Sequence, residues 1–207
     1  MRYAGVDEVG YGALAGPLVS VAVAVDVDLS FERLRRWWPV DRVRDSKKTT
    51  PAQRAEIMSR LMPWLVEQHA SVGIGEIPPS TIDQYGYSKA LLWSKQDALK
   101  VLTAEAPVDL LIVDGSVGVG DLPGVRECRV IPQADADYWV VSAASIIAKV
   151  YRDALMRDLA SEYPQYDWTN NMGYAGGGKL TSVHIAALRK HGLTVHHRKQ
   201  ACRTALS

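Results

Sequence analysis

Cysteine is nearly missing from this chain, with only Cys128 and Cys202 among 207 residues. Two thiols allow at most one bridge and do not form a metal-knuckle spacing, so the expectation is two reduced side chains in a cytoplasmic protein. Long apolar runs are lacking too. None reaches the roughly 18–20 residues that span a bilayer, and Met1-Arg2-Tyr3 leads directly into strand-like sequence instead of the apolar core of a secretory leader. No membrane association is expected. Nor is there a charge excess: 24 Lys and Arg stand against 23 Asp and Glu, a formal net charge of +1. That balance excludes a uniformly basic nucleic-acid-coating protein and an acidic tail, while leaving open how charge is distributed. Internal repeats and linkers are also missing. What remains is 47% hydrophobic and 23% charged, the profile of one globular domain able to bury roughly 70% of its unfolded surface.

Valines alternate with Ala or Ser over residues 18–25, which fits a strand covered on both faces, and residues 3–7 read as a shorter strand before it. The two should be antiparallel neighbours, joined through Gly10-Tyr11-Gly12-Ala13-Leu14-Ala15-Gly16-Pro17. Thr50-Pro51-Ala52-Gln53 carries a capping hydroxyl, a proline at the first helical position and a glutamine at the third, predicting a helix over 51–67. Further strands are expected over 71–76, 109–114 and 126–131. Helices are expected from about 80 to 105 with a kink at Gly86, over 137–163, and over 180–191 closed by Gly192. Ser80 and Asp83 are candidate caps for the first of these. An antiparallel group of strands followed by strand–helix alternation predicts an α/β domain with a mixed sheet.

Four carboxylates stand where regular elements meet loops: Asp7 and Glu8 at the end of the first strand, Asp114 at the end of a later one, and Asp135 before the long helix. Taken singly, each is well explained as a cap or a solvated turn residue. Brought together they would repel one another, and such a cluster needs a cation to be tolerable. Oxygen ligands select Mg²⁺ or Mn²⁺ over zinc. Two such ions about 4 Å apart activate a water on one side of a phosphodiester and stabilise the leaving oxygen on the other. Neighbouring strand residues point to opposite faces, so Asp7 and Glu8 share a site only if the backbone bends at Glu8 and Val9. Gly10, Gly12 and Gly16 do not make a dinucleotide fingerprint, because a strand follows them and their spacing differs.

No acidic residue follows Asp167, whereas Lys179, Arg189, Lys190, Arg198, Lys199 and Arg203 are basic and four of the five histidines lie there. Beside an acidic centre this reads as a phosphate-binding surface; alone it would be a solvated face. Lys47 and Lys48 follow Asp45-Ser46 in a loop from which their ammonium groups could reach backbone phosphates. Ser145 and Lys149 share one helix face, with small residues at 143–145 that allow close packing and a lysine directed at phosphate. Arg152-Asp153 reads as a structural charge pair.

Taken in order, Ala4-Gly5-Val6-Asp7-Glu8-Val9-Gly10, Leu14-Ala15-Gly16-Pro17, Asp45-Ser46-Lys47-Lys48, Val113-Asp114-Gly115, Ala143-Ala144-Ser145-Ile146-Ile147-Ala148-Lys149, Gly173-Tyr174 and Thr181-x-x-His184 resemble the type 2 ribonucleases H, specifically ribonuclease HII. The likeness runs from residue 4 to about 198. It implies a ribonuclease H-like fold, a five-stranded mixed sheet flanked by helices, with a small helical C-terminal part. Residues 1–165 would be the catalytic core, and 166–207 a substrate loop and basic helical region of the same single domain. The resemblance also implies a metal-dependent endonuclease, using two ions of Mg²⁺ or Mn²⁺. Such an enzyme cuts the RNA strand of RNA/DNA hybrids, and ribonucleotides embedded in duplex DNA, to 3′-hydroxyl and 5′-phosphate ends. The family's metal-binding carboxylates match Asp7, Glu8, Asp114 and Asp135; the last rests on its spacing to Ala143, with Asp137 as the substitute. Tyr174 resembles the tyrosine that stacks on a deoxyribose beside the ribonucleotide, a place where a 2′-hydroxyl fits poorly. His184, His197 and Arg198 match a basic C-terminal motif in part, with solvated surface residues as the alternative for both histidines.

The chain departs from that pattern in places. Gly10-Tyr11-Gly12 stands where relatives have Gly-Arg-Gly, so backbone recognition of the 2′-hydroxyl is kept while Tyr11 supplies no cation. Weaker substrate binding, or a changed preference between single ribonucleotides and long RNA tracts, is the expected effect. Met172 replaces a common lysine, the stretch 175–180 is lengthened, and Gln200-Ala201 replaces Ser-Phe. No sliding-clamp motif is evident over 203–207, so a monomer without a protein partner is expected. Two other readings compete: a non-catalytic hybrid-binding protein, and a nuclease of the same fold specific for DNA structures.

Overall fold

In the computed structural model, described over residues 1–27, 49–168 and 181–207, the alternation of valine with small residues decides the centre of the fold. Strand β1 (Arg2–Val9) pairs antiparallel with β2 (Leu18–Asp26), which pairs antiparallel with β3 (Ser71–Ile77). On its other side β1 runs parallel to β4 (Val108–Asp114), and β4 runs parallel to β5 (Val125–Ile131). The order β3-β2-β1-β4-β5 is the expected five-stranded mixed sheet.

Side chains leave each strand alternately, so the two faces have different lids. Tyr3, Val19, Val21, Val23, Leu110 and Ile112 face the helical layer of α1 (Pro51–Glu67) and the long α5 (Trp139–Glu162). Val6, Ala22, Ala24, Leu111 and Val113 face α3 (Tyr87–Glu105), which is preceded by the short α2 (Pro79–Tyr85). Glycine makes both layers close. A Cβ on Gly5 would lie 2.5 Å from the Val141 amide nitrogen, and one on Gly75 would lie 1.9 Å from the Ser94 carbonyl oxygen. Helix α1 starts as its sequence predicts, with Thr50 Oγ1 accepting from Gln53 N and Gln53 Oε1 accepting from Thr50 N.

Two expected helices are each divided. Gly86, at φ +83°, separates α2 from α3 where a kink was expected. The expected 137–163 helix is α5 preceded by a separate turn, α4 (Ala134–Asp137), because Tyr138 is extended at φ −118° and ψ 112°. Asp83 does not cap its own helix. Its carboxylate accepts from the backbone amides of Lys199 and Gln200, at 2.8 and 3.2 Å, and so caps α7 (Lys199–Leu206) from across the fold. Helix α6 (Ser182–His191) is capped by Thr181, and its end is marked by Gly192 at φ +76°. Leu188 of α6 and Cys202 of α7 share a core with Leu14, Ala15, Met156, Tyr166 and Trp168. No helix among the described residues is long and apolar enough to cross a membrane.

Candidate active site

Asp7 and Asp114 end on the α5 face of neighbouring parallel strands, and α4 brings Asp135 to the same end. The Asp114 carboxylate is fixed by the Ala134 amide, which donates to Oδ1 at 2.6 Å and thereby ties the end of β4 to α4. Asp7 Oδ1 accepts from the Glu8 amide at 2.7 Å. All three carboxylates are buried, and one oxygen from each lies within 4.8 Å of the others. Asp137, the substitute considered from spacing, is only half-buried and stands outside this group.

Burial, then repulsion from Glu8 and Asp114, raises Asp7 to about 8 despite a hydrogen bond from Ser145. A divalent cation beside it would favour the ionised carboxylate. Three buried acidic oxygen donors of this kind fit a hard divalent ion such as Mg²⁺ or Mn²⁺, and suit a soft thiophilic metal poorly.

Glu8 goes elsewhere. Strand β1 stays regular through Val9, with Glu8 opposite Ser20, so the bend that would join Glu8 to Asp7 does not form. Its side chain lies on the α3 face, with Oε2 3.0 Å from the Nζ of Lys95. That oxygen accepts no hydrogen bond among the described residues.

Several expected substrate contacts turn out to build the site. Ser145 is buried on α5 and hydrogen-bonds Asp7, so it orients a carboxylate instead of packing beside a phosphate-directed lysine. Lys149 is buried as well. Its Nζ donates to Asp153 Oδ1 at 2.6 Å, and Asp153 also meets Arg54 Nη2 at 3.3 Å. Burial lowers Lys149 while its bond to Asp153 raises it. Asp153 therefore pairs with Arg54 and Lys149, and Arg152 has another use. The fully buried Arg152 donates to the carbonyls of Ala15 at 2.7 Å and Pro17 at 2.9 Å.

Arg198, expected at the nucleic-acid surface, is also fully buried. It donates to the Tyr11 carbonyl at 2.9 Å and to the Gly16 carbonyl from Nε and Nη2 at 3.1 and 3.0 Å. Its guanidinium lies 5.5 Å from the Tyr87 ring centroid. Two arginines thus hold the loop over residues 10–17 from beneath. Gly10, at φ +84°, makes room for one of them, since a Cβ there would lie 2.3 Å from Arg152 Nε. Tyr11 remains exposed with its ring against Tyr87 at 5.3 Å, and Gly12 opens to empty space. That edge of the loop is open to solvent.

The histidines are internal too. His184 Nε2 lies 3.1 Å from both Trp168 Nε1 and His197 Nε2, while His197 Nδ1 accepts from the Thr194 amide at 2.9 Å. An accepting Nδ1 leaves the His197 proton on Nε2, the neutral form. Burial, then His184 and His196, push His197 from 6.5 down to about 4. The unfolded chain takes up that proton first, so the stability His197 contributes is complete above about 6.5 and falls away as the pH drops to about 4. Denaturant midpoints measured between those limits should decline toward acid, and His197→Gln should shallow the decline; equal slopes would show that His197 is open to protons in the folded state.

Lys47, Lys48 and Tyr174 lie outside the described residues. Reasoning from sequence also passed over Lys95. The signal was present, because Leu91, Lys95, Ala98 and Leu102 recur at helical spacing and place a lysine in an otherwise apolar stripe.

A family model described as Ribonuclease HII matches residues 4–203. The chain is 39% identical over 197 residues to the ribonuclease HII of Ehrlichia chaffeensis, covering 94% of this chain and 82% of that one. Among solved structures, ribonuclease H2 from Pyrococcus horikoshii superposes with a TM-score of 0.71 at 25% identity, over 100% of this chain and 97% of that one. A structure of the PCNA:RNase HII complex from Archaeoglobus fulgidus gives 0.71 at 22% identity, over 96% and 94%. At that identity the likeness is one of fold; the archaeal protein does have a protein partner, whereas none was expected here.

Proposed function

The chain belongs to the ribonuclease HII family, and from that premise we propose that it is a divalent-metal-dependent endonuclease. It hydrolyses the RNA strand of RNA/DNA hybrids and cuts at ribonucleotides within duplex DNA, leaving 3′-hydroxyl and 5′-phosphate ends. The convergence of Asp7, Asp114 and Asp135 carries this reading. These three would hold Mg²⁺ or Mn²⁺, and Glu8, paired with Lys95 in this structure, would join them only by turning its side chain from that lysine. When bound, the ions make a water nucleophilic near neutral pH and neutralise charge on the phosphate and the leaving oxygen.

The protein supplies placement. Ser145 and the Glu8 amide orient Asp7, the Ala134 amide orients Asp114, and the sheet sets the spacing between them. Arg152 and Arg198 hold the backbone of residues 10–17, with Gly10 buried against Arg152, so that the exposed edge at Tyr11 and Gly12 meets the 2′-hydroxyl side of the substrate. Tyr11 brings a ring in place of a cation, so phosphate attraction falls to Lys47, Lys48 and the exposed Arg189, Lys190, Lys199 and Arg203. Tyr174 reads the RNA–DNA junction. Residues 166–207 act as a substrate-facing region built onto the 1–165 core.

The test uses three labelled duplexes with Mg²⁺ or Mn²⁺: a single ribonucleotide in DNA, a long RNA/DNA hybrid, and all-DNA. Metal-dependent cutting of the first two and an intact third are expected. Cutting of the hybrid alone would assign the narrowed specificity to Tyr11 and the lengthened 175–180 stretch. Binding without any cutting would replace this reading with a hybrid-binding protein, and cutting of all-DNA would replace it with a DNA nuclease.

A further inference from the structure

Lys95 is 1% exposed, and lysine is almost never this buried unless paired. Its Nζ donates to the carbonyls of Asp114 at 3.2 Å and Val117 at 3.3 Å, and lies 3.0 Å from Glu8 Oε2. The ammonium is therefore pinned between the ends of β1 and β4, the two strands that carry Asp7, Glu8 and Asp114. The two carbonyls fix its position, whereas the Glu8 contact is an ion pair that leaves Oε2 without a hydrogen bond. Glu8 is the more exposed partner, 21% against 1% for the lysine side chain, so the carboxylate is the member able to move.

A fixed positive charge here has two effects on a neighbouring cation site. It offsets acidic repulsion when no metal is bound, and it competes with an arriving divalent ion for Glu8.

Resting on the metal-dependent reading above, we propose that Lys95 is a resident counter-ion for Glu8, a positioning residue that sets how tightly the carboxylate group takes up divalent cations. It touches no substrate. Its removal should tighten metal binding, the reverse of what loss of a merely structural contact would do.

Calorimetric titration of the full chain with Mn²⁺ tests this without turnover. Lys95→Gln keeps an amide that can donate to the Asp114 and Val117 carbonyls but drops the charge, and it should bind Mn²⁺ at least about fivefold more tightly than wild type. The Mn²⁺ concentration for half-maximal cleavage should fall by a similar factor, and the metal-free protein should melt at lower temperature. In a Glu8→Gln background the same substitution should change Mn²⁺ affinity less than about twofold, because the competition is for Glu8. Equal affinities of wild type and folded Lys95→Gln would overturn the proposal, as would a gain that persists without Glu8. If Lys95→Gln does not fold, Lys95→Arg carries the test: it keeps the charge and should bind Mn²⁺ like wild type, and a severalfold change would count against the idea. Failure to cleave hybrids while these affinities behave as expected would sink the nuclease reading and leave this one standing. Absence of Mn²⁺ binding by the wild type would overturn both.

Discussion

Asp135→Asn should lower cleavage of a ribonucleotide-containing duplex by roughly 10³-fold, about 4 kcal/mol of transition-state stabilisation, while duplex affinity stays within about twofold. The amide matches the carboxylate in size but removes one of the three acidic groups gathered within 4.8 Å. The fold should tolerate it, because taking a charge out of a buried acidic group relieves repulsion. Single-turnover cleavage beside a gel-shift titration separates the two effects. Cleavage within tenfold of wild type would mean that the chemistry does not use this carboxylate. Asp137, half-buried and outside the group, should show little loss as Asn.

The second large effect is on stability. Arg152→Met should cost roughly 3–5 kcal/mol, because it leaves the buried carbonyls of Ala15 and Pro17 without a donor and each such loss costs about 1–3 kcal/mol. For a chain of this size that is a fall in melting temperature on the order of 10 °C. Duplex affinity should weaken in the same variant, since the loop losing its support carries Gly10, Tyr11 and Gly12. Thermal melts and binding curves on one preparation would show both. A loss below about 1 kcal/mol would mean that Arg198, which holds the Tyr11 and Gly16 carbonyls, supports the loop alone.

Much of this was legible before the structure, and the boundary has physical causes. The alternation over residues 18–25 announced a two-faced strand, Thr50 and Gln53 announced a helix start, and both formed for the expected reasons. The acidic group was legible because strand ends are local features. Glu8 was half legible: strand parity put it opposite Asp7, but the bend proposed to reunite them depended on the loop that follows, and β1 runs straight. Lys149 was misplaced although its partner, Asp153, lies one helical turn on; Arg198 and His184 were misplaced for a different, shared reason. A cationic or polar side chain in a sequence carries no mark of whether its partner is water, phosphate or a carbonyl far along the chain. The partners of Arg198 are at positions 11 and 16, and no local pattern points there.

That distance bears on when the protein becomes a nuclease. Residues 10–17 are made well before residue 196, yet their shape depends on a bridge between Ala15 and His197, on Gly16 N donating to His196 O at 2.8 Å, and on Arg198 reaching back 182 positions to Gly16. Closure over such a separation comes late in folding. A nascent chain on the ribosome can pair β1 with β2 and still have residues 10–17 unseated until residue 198 has emerged. A chain lacking residues 196–198 would therefore carry Asp7, Asp114 and Asp135 without the contacts that shape residues 10–17.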